Sequence, residues 1–73
     1  MSTYAVVIED AGSNFSAYVP DLPGCVAVGA TVDEVTENIH DAIELYIAAS
    51  IEFGEVVPRP SSRVVDVEVA SQP

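Results

Sequence analysis

Residues 31–54 read TVDEVTENIHDAIELYIAASIEFG, and the spacing of their apolar positions decides the fold. At about 100° per residue, Val32, Val35, Ile39, Ala42, Ile43, Tyr46, Ser50 and Phe53 share one arc, the width of a stripe that packs on a core. Thr31 and Glu34 stand in capping-box register: the Thr hydroxyl accepts from a free backbone N–H, and Glu34 reaches back to the N–H of Thr31. Gly54 suits the left-handed position that closes a helix, and Pro58 and Pro60 prevent continuation. The pattern therefore predicts one helix from residue 32 to about 53, with an apolar stripe that needs a sheet to cover.

Strand signals lie on both sides of it. Residues 4–8 are a short β-branched run, and 9–14 (EDAGSN) have the polar, glycine-containing composition of a hairpin loop. Phe15, Ala17 and Val19 alternate with Ser16 and Tyr18 until Pro20 removes a ladder donor. Pro23 and Gly24 occupy the central positions of a type II turn between Leu22 and Cys25, which sends the chain into a third strand over 25–30. Beyond the helix, 63–69 alternates again, Val65, Val67 and Val69 on one face and Asp66 and Glu68 on the other. The predicted class is α+β in the order β-β-β-α-β. It comprises a three-stranded antiparallel meander, a helix on one face, and a fourth strand returning parallel to the first by a right-handed crossover.

Seventy-three residues make one domain, 1–73, with a frayed tail from about 70. So short a chain buries only about 60% of its unfolded surface, which makes a homodimer the expected remedy. Apolar residues outside the core arc mark its contact: Leu45 and Ile51, with Phe53 at the helix end. No apolar run spans a bilayer and no signal-peptide pattern opens the chain, so a cytoplasmic location is expected. One cysteine and one histidine are too few for a zinc site. Cys25 reads as a small buried hydrophobe, and His40 and Asn38 as flank residues without a role.

Charge narrows the function further. Two arginines, no lysine and twelve acids give a net charge of −10. Phosphate contacts need clustered cations, so direct nucleic-acid binding is disfavoured, whereas a basic partner is attracted. Opposite the core arc Glu34, Glu37, Asp41, Glu44, Glu52 and Glu55 share one side of the helix, interrupted only by Ala48. Like charges at these spacings cost about 0.2 to 0.5 kcal/mol per pair, which singles out Glu37, Asp41 and Glu44 as an acidic docking surface. The competing reading is a solvated face in an acidic protein.

Tyr18-Val19-Pro20-Asp21-Leu22-Pro23-Gly24-Cys25, followed by Gly29, Thr31, Glu34, Asn38-Ile39, Ala42-Ile43 and Glu44-Leu45-Tyr46, resembles the HicB-like antitoxin family. The likeness covers about residues 4–60, and the PDLPGC loop followed by a Gly-x-Thr helix start carries it. The resemblance implies a partly degraded RNase H-like fold and a non-catalytic protein that neutralises a small basic HicA-type ribonuclease of a toxin-antitoxin system. Family members commonly carry a C-terminal DNA-binding domain, and this sequence departs from that pattern, so a single-domain member without one is expected. Asp21 and Leu22 in the loop join the helix acids as candidate partner contacts.

Two other classes stay open. An orphan dimeric module could meet an unassigned ligand through its PDLPGC loop. A metal-dependent nuclease would need carboxylates converging on two ions, and Glu9, Asp10 and Asp21 are the acids to test. Residues 4–8 hold none, the helix acids face away from the sheet, and no nucleophile pair or phosphate loop is present, so neither catalytic residues nor a cofactor is expected.

Overall fold

Asp10 and Phe15 close a hairpin around residues 11–14, where the Ala11 N–H donates to the Asn14 carbonyl at 2.8 Å. Positive φ falls to Gly12 at 94°, a conformation glycine adopts without steric cost. The hairpin joins β1 (Val7–Asp10) to β2 (Phe15–Tyr18), and β3 (Val26–Gly29) pairs antiparallel on the far side of β2, giving the order β1-β2-β3. These elements, with the helix α1 (Val32–Glu52), come from a computed structural model that describes residues 2–71. The fraying expected at 70–73 falls partly outside that span.

The turn before β3 follows its sequence. The Cys25 N–H donates to the Leu22 carbonyl at 3.1 Å, and Gly24 sits at φ 82° in the position a type II turn reserves for it. The first strand lies further along than residues 4–8. Pro20 carries no N–H and the Val19 N–H turns to the Cys25 carbonyl, so β2 stops at Tyr18. Its partner Val7 is then the first paired residue of β1. Tyr4 and Val6 still pack against the core without a ladder.

The helix begins and ends as its caps direct. Thr31 Oγ1 accepts from the Glu34 N–H at 3.0 Å, while the Glu34 carboxylate takes the N–H of Ala30 at 3.2 Å rather than that of Thr31. At the other end the Gly54 N–H reaches the Ile51 carbonyl and the Glu55 N–H reaches that of Ser50, with Gly54 at φ 70°. This is a Schellman closure.

The helix packs on β3 and β2. Its Val35 and Ile39 are buried with Ala17, Val19, Leu22 and Cys25, and Ala42, Ile43 and Tyr46 cover the margin, half-buried. The two ends of the expected stripe escape the core: Val32 is 48% and Phe53 75% exposed, because the helix overruns the short strands at both ends. Ser50 is buried and donates to the Tyr46 carbonyl at 2.9 Å, which satisfies its hydroxyl. Gly29 allows the helix to sit this close, since a Cβ there would lie 2.6 Å from the Val35 backbone nitrogen.

The fourth strand does not form. Among the described residues, 55–71 contain neither helix nor strand, and Val64, Val65, Val67 and Val69 are each 71–75% exposed. The chain leaving the helix is tied down before it can turn back along β1. Tyr4 donates its hydroxyl to the Pro58 carbonyl at 2.6 Å, and Asp21 holds Ser61 and Ser62. The rest projects as an arm. The radius of gyration is accordingly 14.5 Å, against about 11 Å for a compact chain of this length. The α+β meander with its covering helix stands, and the RNase H-like return of a fourth strand is not part of this single-chain sheet.

Candidate partner-binding surface

The helix carries six of the chain's twelve acids. Thr31 fixes the first turn and Asn38 fixes the rotation, donating its side-chain amide to the Val28 carbonyl at 2.8 Å. With Val35 and Ile39 turned into the core, Glu37, Asp41 and Glu44 point to solvent. The Asp41 and Glu44 side chains are 74% and 69% exposed. Opposing cations are scarce here: His40 Nδ1 lies 3.5 Å from Asp41 and 3.4 Å from Glu44, and the helix has no basic residue in its last turn. His40, Asp41 and Glu44 bring their ligand atoms within 4.8 Å of one another, a proximity that follows from neighbouring and i,i+4 positions on one exposed helix face. Among the described residues His40 is the one basic group paired with the ridge, which is thus a strip of net negative potential, suited to a basic protein surface.

The loop residues have structural work instead. Leu22 is fully buried, so its side chain fills the core beneath the PDLPGC turn and offers no surface. Asp21 accepts four hydrogen bonds at 2.8–2.9 Å, from the backbone N–H and hydroxyl groups of Ser61 and Ser62. The backbone N–H of Ser62, then that of Ser61, then the Ser62 hydroxyl hold its carboxyl down to about 2. Because the folded pKa is depressed, this attachment is complete above the ordinary carboxylate range and is lost as pH falls through about 2. Asp21→Asn should release the root of the arm at neutral pH: the Ser61 and Ser62 amides should lose hydrogen-exchange protection while those of α1 keep it. Unchanged protection at Ser61 and Ser62 would contradict this role. No signal in the loop marked the serines, which lie 40 residues away in sequence.

The dimer-contact candidates Leu45, Ile51 and Phe53 are 72%, 67% and 75% exposed. Leu45 and Ile51 stand about 120° apart around the helix, so they do not form one patch. Ile47 escaped the sequence reading because it lies beside the core arc. It lines a groove of about 440 Å³ with Tyr4, Ile39 and Ile43. A second apolar area crosses the sheet's open face through the paired residues Val7, Tyr18 and Val26, with Tyr18 42% and Val26 65% exposed.

The acids proposed for a nuclease do not converge. Glu9 and Asp10 end β1 beside the first hairpin, and Asp10 accepts from the Gly12 N–H at 2.8 Å. Asp21 follows the other end of β2. Cys25 is buried, and burial pushes its thiol pKa up, which keeps it protonated and unreactive. Among the described residues no helix is long and apolar enough to cross a membrane.

The relatives agree with this frame. A Helicobacter pylori protein described as a UPF0150 protein is 36% identical over 66 residues, covering 88% of this chain and 90% of its own length. An Archaeoglobus fulgidus protein of the same description is 39% identical over 57 residues, covering 74% and 83%. An uncharacterized 14.9 kDa protein of Haemophilus phage HP1 is 34% identical over 56 residues, which span 77% of this chain but only 42% of the phage protein. The family model described as the HicB_like antitoxin of bacterial toxin-antitoxin systems matches residues 4–72. With a single meander, a capped helix and a match over nearly its whole length, this chain belongs to the HicB-like antitoxin family.

Proposed function

We propose that the protein acts as a non-catalytic antitoxin, binding and neutralising a small basic HicA-type ribonuclease through the ridge of Glu37, Asp41 and Glu44. Family membership supports the antitoxin role. The observation that supports the choice of surface is the row of exposed carboxylates, outnumbering the one neighbouring histidine, on a helix whose other face is anchored in the core. Their potential steers a cationic partner and accelerates encounter, an effect that salt screens over a Debye length of about 8 Å at physiological ionic strength. The toxin would be met in the cytoplasm, where its RNA substrates are.

The test is charge reversal. Glu37→Lys with Asp41→Lys should preserve the fold, since both side chains are in water. It should slow association with a HicA-type toxin by at least about tenfold at low salt and flatten the salt dependence of the rate. Wild-type rates across the salt series would move the contact to the apolar sheet face around Tyr18, Val26 and Val28, all exposed.

A further inference from the structure

Two surfaces of the folded chain lack partners, and they match. One is the arm over residues 63–69, extended, with Val65, Val67 and Val69 alternating against Asp66 and Glu68. Such alternation is the pattern of a strand with one dry face, yet all three valines are 73–75% exposed. The other is the outer edge of β1. The sheet ends there, and because the helix packs on β3 and β2, the space beside the edge opens into the groove of Tyr4, Ile39, Ile43 and Ile47. The opposite edge is obstructed, since Asn38 occupies the outward carbonyl of Val28 in β3. An unobstructed edge beside a groove whose isoleucines are rimmed by Thr3, His40 and Glu44 is a template for an added strand.

We propose that the arm of one chain adds to the β1 edge of a second copy, with Val65, Val67 and Val69 seated in that groove, and that the exchange is reciprocal in a two-fold dimer. The lengths agree, because seven extended residues span about 23 Å, as do residues 4–10 along the edge. The root of the arm determines which edge it reaches. From Pro58, bonded to Tyr4 at the foot of β1, the chain runs to Ser61 and Ser62, bonded to Asp21 beyond the end of β2. It thus travels across the foot of the sheet, away from its own β1 edge, and reaching that edge would require breaking the four bonds to Asp21. A second copy takes up the arm without that loss. In this arrangement the fourth strand of the fold is supplied by the neighbour, and Glu37 and Asp41 stay exposed on each helix, while Glu44 and His40 border the occupied groove. The proposal does not depend on the identity of any toxin.

Sedimentation of the full chain at tens of micromolar should give a dimer. Val67→Asp should give a monomer that keeps the helical far-UV circular dichroism signal and loses only the strand contribution of the arm, because Val67 is exposed and outside the core cluster in the single chain. In a mixed sample of isotope-labelled and unlabelled wild-type chains, the Val65 and Val67 methyls of one copy should show nuclear Overhauser effects to Ile43 and Ile47 methyls of the other. A monomeric wild type, a dimeric Val67→Asp variant, or contacts confined to one chain would each overturn the exchange.

Discussion

Ile39→Ala should cost about 2 to 5 kcal/mol, visible as a large fall in the denaturant midpoint. Ile39 is 2% exposed and packs in one cluster with Val35, Ala17 and Leu22 where the helix meets the sheet. A domain of this length has a total stability of roughly 4 to 11 kcal/mol, so this one truncation removes a large part of it. The cluster has six buried apolar residues and little surrounding structure to collapse into the vacated space. A midpoint within error of wild type would show that the helix does not anchor there.

Gly29→Ala should be nearly as damaging despite adding a single methyl group. The new Cβ would stand 2.6 Å from the Val35 nitrogen and 2.8 Å from its Cα. Those are backbone atoms of the first helical turn and cannot swing aside as a side chain does. The helix start must shift, loosening Val35 in the core and straining the Thr31 cap, at a cost of roughly 1 to 3 kcal/mol. Gly29 does not have positive φ, so the effect isolates the close approach from backbone preference. Unfolding midpoints and the Val35 amide shift report it together, and an unperturbed Val35 with wild-type stability would contradict the packing.

Much of this architecture was legible in local chemistry. The capping residues, the Pro-Gly turn and the two helical faces depend on neighbours within a few positions, and the structure places them where the spacing requires. The failures arise where a distant group intervenes. Residues 63–69 have the alternation of a strand, but a strand exists only with a partner, and the bonds from Tyr4 and Asp21 direct the segment elsewhere. Leu22 in a polar-looking loop reads as a contact residue, yet it is wholly buried in the cluster with Val19, Cys25, Val35 and Ile39, a placement that depends on the distant helix and not on the loop's own residues. Helical periodicity assigns Ile47 to no face, and its groove appears only once the helix is seen to lie over β2 and β3 and not over β1. The one-sided placement of Glu37, Asp41 and Glu44 is set by helical periodicity alone, and their exposure follows from the anchoring of Val35 and Ile39 on the opposite stripe.

The most direct measurement is RNA cleavage by a purified HicA-type ribonuclease from the same cell, titrated with this protein. If the protein is its antitoxin, cleavage should fall linearly and stop at a fixed stoichiometric ratio, with the protein alone leaving RNA intact. Cleavage that continues unchanged at a large molar excess of the protein would contradict the account.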